Sequence, residues 1–175
     1  HPVAARAASG WFIGQGPDTA APTALRAPGL ARKDLIGPLF ALANPLRELL
    51  NRAFPGAVGL FADIDWMISL IFLPRFDCQD RADWLTPTRL STWLASIGYT
   101  GGMDPAVLHT RLITAPRGIT GAESHAHAAI TNALVATLKT LVAQIKVLSE
   151  QIAEQLATHT DAHIFPSPPP SPIHT

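Results

Sequence analysis

The chain has 175 residues, 47% of them apolar, and its 13 basic and 13 acidic residues cancel. That length suits one domain, or one domain with an extended element, and the neutral balance excludes a broad basic footprint for nucleic acid without excluding a local one. The lone cysteine, Cys78, excludes an intrachain disulfide; with no signal-peptide layout at His1 and no stretch read as a membrane span, a cytoplasmic fragment is expected.

Residues 1–30 hold Pro2, Gly10, Gly14, Gly16, Pro17, Pro22, Pro28 and Gly29. These leave little uninterrupted room for a helix or strand, so an irregular N-terminal segment is expected, packed at most through Trp11. From 30 to 53, Leu35, Leu39, Leu42, Leu46, Leu49 and Leu50 recur at helical spacing. Gly37-Pro38 and Asn44-Pro45 interrupt them, and an internal proline removes a backbone donor at a cost of about 3 kcal/mol. Asn44 with Pro45 also reads as a cap followed by a first-turn proline, so two short helices are predicted.

Phe54-Pro-Gly56 reads as a turn, and Asp65 is placed to cap a helix over 66–73 that stops near Pro74. Thr86-Pro87 and Asp104-Pro105 are cap-plus-proline signals. The first opens a helix that buries Leu90, Trp93, Leu94 and Ile97 and ends at Gly98; the second opens a helix over 105–114. Residues 31–115 are thus assigned to a helical subdomain.

Thr120-Gly-Ala-Glu123 fits a capping box, and after it no proline or glycine occurs before Pro166. A helix over 121–158 is predicted, and 120–160 is assigned to a long coiled-coil-like element. Along it Leu134, Leu138, Leu141, Ile145, Leu148 and Ile152 alternate steps of four and three, a heptad seam. At ~1.5–3 kcal/mol per buried aliphatic side chain the seam calls for burial. Spacing does not choose between a second copy and the chain's own helices. Residues 161–175, with Pro166-Ser-Pro-Pro-Pro-Ser-Pro172, read as an extended Pro-rich tail. The expected fold class is mostly α: a short-helix subdomain, then one long coiled-coil-like helix, between irregular Pro/Gly-rich termini.

Asp63, Asp65, Asp77, Asp80 and Asp83 are the acids to weigh for metal-dependent chemistry, which needs carboxylates converging on cations about 4 Å apart. Capping and solvated charge is the reading preferred for them. His159 and His163 are spaced to clamp a metal from one helix face, with Asp161 near, but no third ligand is evident, and histidines also suit a helix C-terminus. Ser167 and Ser171 are proline-flanked tail residues with no oxyanion donor suggested. No catalytic and no metal residue is assigned. Arg32, Lys33, Arg47 and Arg52 are the candidate phosphate contacts. Trp84 and Trp93 could stack bases, core packing being preferred for Trp93.

Several tracts carry a resemblance: Asn51-Arg-Ala-Phe-Pro-Gly-Ala-Val-Gly-Leu-Phe-Ala-Asp-Ile-Asp65, Arg75-Phe-Asp-Cys-Gln-Asp-Arg-Ala-Asp-Trp-Leu-Thr-Pro-Thr-Arg89 continuing to Gly102, Ala31-Arg-Lys-Asp-Leu-Ile36, Leu39-Phe-Ala-Leu-Ala-Asn44, and Gln151-Ile-Ala-Glu-Gln-Leu-Ala-Thr-His-Thr-Asp-Ala-His-Ile-Phe165. This wording resembles the middle of bacterial insertion-sequence transposases of the DEDD type, the bridge-RNA-guided DNA recombinases. The resemblance implies DNA recombination with DNA and a structured guide RNA as partners, homo-oligomer assembly, and divalent metal, Mg, in the parent enzyme. It also implies that the family's catalytic acids lie before this region and its nucleophilic serine after it, so the chain is expected to be a linker and oligomerisation scaffold. A stand-alone helical oligomerisation module with no nucleic-acid role is the alternative.

Overall fold

Where the prolines fall decides the first element. The computed structural model describes residues 20–164, and in it a single unbroken helix, α1, runs Ala20–Ala53. The predicted break into two short helices does not occur, and residues 20–30 are helical rather than irregular. Pro22 stands in the first turn, where a missing N–H forfeits no intrahelical bond. Pro38 and Pro45 lie two turns apart on one side of the helix, and both are exposed. The carbonyls they orphan belong to Asp34 and Ala41, exposed residues that water can reach. The other side buries Ala43, Leu46 and Leu50, and the helix is unbroken through both prolines. Trp11 lies outside the described residues.

Six helices follow: α2 (Pro55–Val58), α3 (Met67–Arg75), α4 (Gln79–Ala82), α5 (Pro87–Ser96), α6 (Pro105–Thr114) and α7 (Ala122–Ile164). The protein is mostly α, with no strand among the described residues and a long C-terminal helix preceded by shorter ones. Two caps form as their sequences dictate: Thr86 Oγ1 accepts from Arg89 N (3.2 Å), and Asp104 Oδ1 from Ala106 N (2.8 Å). Gly98 ends the α5 region at φ 68°, a left-handed value that glycine takes without strain. Asp65 does not cap α3. The capping position is Trp66, the helix continues through Pro74 to Arg75, and Asp63 organises the preceding turn: its carboxylate accepts from Ile64 N (2.7 Å) and its carbonyl from Ser69 Oγ (2.6 Å).

The start of α7 also departs from expectation. No hydrogen bond from the Thr120 side chain caps it; Asp80, on α4, accepts from Gly121 N (2.8 Å) and Ser124 Oγ (2.9 Å) instead. A carboxylate there also suits the positive end of the helix dipole. The helix then runs past residue 158 to Ile164.

The chain divides into two units. The larger, Asp34–Lys146, has a core of Leu46, Leu50, Phe54, Leu60, Ile64, Leu70, Phe72, Leu90, Leu108, Val135 and Leu138, among others. Phe72 and Phe76 meet Trp93 edge-on at ring separations of 5.6 and 5.4 Å, which assigns Trp93 to packing. Gly118 lets the chain pass close to α1: a Cβ there would collide with the Ala53 backbone, whose carbonyl accepts from Ile119 N at 2.9 Å. Within this unit α7 buries Ser124, Ala128, Thr131, Val135 and Leu138. Only Leu138 of these belongs to the heptad seam; Leu134, next to buried Val135, is half-buried.

The described part of the smaller unit comprises residues 20–33 of α1 and 147–164 of α7. Arg32 Nε donates to Ser149 Oγ at 2.9 Å, tying the two stretches together. Leu148, Ser149, Ile152 and Gln155 on α7, with Pro28, Ala31 and Arg32 on α1, are half-buried.

Candidate functional site

Four of the five acids, Asp63, Asp77, Asp80 and Asp83, act as fasteners. Asp63 accepts from Arg47 (2.9 Å), and Asp80 holds the start of α7 as above. Asp77, 3% exposed, accepts from Arg81 (2.7 Å) and from Asn132 Nδ2 (2.7 Å) on α7. Asp83 accepts from Gln79 Nε2 (2.8 Å) and Arg117 (2.6 Å), while Gln79 Oε1 accepts from Gly118 N (2.9 Å). The short helix α4 and the residues flanking it therefore pin both the 117–121 loop and the first turns of α7. Burial raises the Asp83 pKa, but hydrogen bonds from Arg117 and Gln79, with the Arg117 charge, outweigh it, and the net shift is downward.

Asp63, Asp77, Asp80 and Asp83 each accept from separate arginine, amide, hydroxyl or backbone donors, and Asp77 Oδ1 is buried without a hydrogen-bond partner. Among the described residues no group of three or more His, Cys, Asp or Glu is placed to hold a metal. The residues present thus do not fit the divalent metal that the resemblance implies for the parent enzyme, and no step through a metal is derived for this chain. His159 and His163 meet edge-to-face at 5.4 Å on the last turns of α7. Ser167 and Ser171 lie outside the described residues.

The four basic candidates do not form one patch. Arg32 and Lys33 belong to the smaller unit, Arg47 and Arg52 to the larger. Arg32 is bonded to Ser149, and Arg47 to Asn44 Oδ1 (3.1 Å) and Asp63. Lys33 and Arg52 are exposed. The seam divides likewise. Leu138 is fully buried in the larger unit's core; Leu134, Leu141, Ile145, Leu148 and Ile152 are half-buried. Val147, Leu156 and Ile164 are exposed elsewhere on the same helix at 44, 50 and 63%, and of these Leu156, one turn beyond Ile152, continues the seam face. By length and composition α7 could cross a bilayer, with a window of mean hydropathy 1.4. The same helix supplies Val135 and Leu138 to the core and carries Lys139, Lys146, Glu150 and Glu154.

A basic-aromatic cleft lies where the sequence offers only an isolated Trp84. The Trp84 indole is 52% exposed, and the Arg89 guanidinium stacks on it at 4.3 Å while donating to the Trp84 carbonyl at 2.8 Å. Two hollows, of about 240 and 390 Å³, share Arg75, Phe76 and Trp84 in their walls. The first adds Thr88, Arg89, Thr92 and Trp93; the second adds Asp80 and Arg81. Arg75 lies over the Phe76 ring at 5.5 Å and makes no hydrogen bond or ion pair among the described residues. The i,i+5 spacing of Trp84 and Arg89 spans a turn and a helix start, so no periodic rule signals their stacking.

Compared with known proteins, the chain matches no family model, no curated protein and no solved structure.

Proposed function

We propose that this chain is the helical middle section of a DEDD-type insertion-sequence transposase, serving there as a scaffold that joins flanking catalytic parts and pairs protomers. The observation that carries the pairing role is the half-covered seam. Leu148 and Ile152 keep part of their surface in water, and exposed Leu156 continues their face one turn on, although a helix of the same unit lies beside them. Exposed aliphatic surface arranged along a helix is what a further helix covers. The transposase assignment rests on the tracts between Ala31 and Phe165. DNA and a structured guide RNA are its partners in this reading, with Lys33 and Arg52 the residues of the basic set best placed for phosphate.

No catalytic group is assigned to the chain. Asp63, Asp77, Asp80 and Asp83 are fasteners, and the purified protein is expected to leave supercoiled plasmid intact in magnesium or manganese. Cleavage that disappears on Asp63→Asn or Asp80→Asn substitution would contradict this. Reading the coding frame on both sides of the chain tests the assignment itself. An acidic nuclease tract upstream and a serine domain downstream support the transposase reading. A self-contained frame with neither contradicts it and leaves a stand-alone oligomerisation module.

A further inference from the structure

We infer that the cleft around Trp84 binds single-stranded nucleic acid, with an unpaired base stacked at Trp84 and backbone phosphates held by Arg75 and Arg89. This deepens the nucleic-acid part of the proposal above and rests on that part alone; the cleft shares no residue with the seam or with Arg32, Lys33, Arg47 and Arg52.

The chemistry of the walls selects the ligand. Three arginines, Arg75, Arg81 and Arg89, face one acid, Asp80, whose Oδ2 is already taken by Gly121 N and Ser124 Oγ. Arg81 is spent on the buried Asp77 carboxylate. Arg75 has all its donors free of protein acceptors among the described residues, and Arg89 uses one donor on the Trp84 carbonyl. With Arg81 paired to Asp77, Arg75 and Arg89 stand against Asp80 and leave a positive excess in the cleft, which suits an anion.

The aromatic surface then narrows the anion. A half-exposed indole carrying a guanidinium on one face is a flat, extended π surface. The second hollow borders Trp84 on lining that does not include Arg89. A duplex keeps its base faces stacked on one another and offers only phosphates, so it cannot use Trp84; an unpaired strand offers a base and a phosphate together. An apolar helix would strand the arginines. The Pro166–Thr175 tail matches the aromatic rings but has no acidic side chain for the guanidinium groups.

The test uses the full chain and a fluorescently labelled oligothymidylate of about 16 nucleotides, with a duplex of equal length as comparison. Anisotropy titrations are run at several salt concentrations. The strand binds at low salt and more tightly than the duplex. Trp84→Ala weakens it about tenfold, while Trp84→Phe, which keeps a stacking ring, stays within about threefold. Arg75→Gln lowers the salt slope by about 0.7, one phosphate contact on a single strand. Trp84 and Arg75 are exposed, so the variants keep the wild-type circular dichroism melt. Absence of strand binding at low salt, equal affinity for duplex, or affinity indifferent to Trp84→Ala each overturns the assignment. So does a peptide of residues 164–175 that binds the cleft while the strand does not. Loss of binding on neutralising Arg32 and Lys33, with Trp84→Ala silent, would move the contact to those two residues and remove the cleft.

Discussion

Leu138 and Leu148 stand on the same helix, α7, one in each unit, and their surroundings differ. Leu138 is fully buried, part of a core that draws on α1 through α7. Leu148 is half-buried in a unit whose described part is two helical stretches joined by the Arg32–Ser149 hydrogen bond. One region closes around its own leucines; the other leaves its leucines at a surface. The difference shows that a heptad pattern records apolar demand along a helix but not what meets it. The larger unit meets it with its own core, on a register that shares Leu138 with the seam but buries Val135 in place of Leu134.

The sharpest way to break this comparison is a matched pair of truncations. Leu138→Ala should cost ~2–5 kcal/mol of stability, the range for a fully buried leucine, measured by urea unfolding. Leu148→Ala should cost well under half as much when the protein is dilute. Equal costs would mean that the second unit is as closed as the first. Next in size is the α4 fastening. Asp80→Ala leaves Gly121 N without its acceptor at the start of α7 and Ser124 Oγ with the Gly121 carbonyl alone, and a loss of ~1–3 kcal/mol is expected in the same assay. A neutral result would mean that α7 starts without help from α4. Thr86→Ala removes the α5 cap and should cost ~1 kcal/mol.

The smallest effect is pH-dependent. The folded-state pKa of Asp83 lies below its ordinary value of 3.8, so its contribution is fully present above that value. It is lost as pH falls through the depressed folded value. The urea midpoint of the wild type should therefore drop more steeply below about pH 4 than that of Arg117→Ala. Parallel profiles would mean that the Asp83–Arg117 contact is absent in solution.

How much of this was legible follows from the kind of signal each part leaves. Thr86-Pro87 and Asp104-Pro105 act within one turn of themselves, so local chemistry places α5 and α6 closely. Pro38 and Pro45 mislead because their cost depends on facing water, which depends on what the opposite face of α1 buries. The start of α7 misleads for a related reason: its acceptor comes from Asp80, 41 residues before Gly121. The α7 register is hidden because its buried face is built partly from Ser124, Ala128 and Thr131, small or polar residues that a search for leucines passes over. The acids read as caps and solvated charge, whereas Asp77 is buried and paired; which partner each one takes, and the assembly of Arg75, Trp84 and Arg89 into one cleft, arise from tertiary placement that spacing alone does not encode.

The central claim is that the half-covered seam pairs one copy of the chain with another. Sedimentation velocity over a wide range of protein concentration, on the wild type and on Leu148→Asp/Ile152→Asp, tests it most directly. Wild type is expected to move from monomer to a larger species as concentration rises. The double variant should stay monomeric while its larger unit keeps its circular dichroism melt, because two carboxylates cannot be buried unpaired in an apolar contact. A wild type that remains monomeric throughout, or a variant that assembles as the wild type does, would contradict the account.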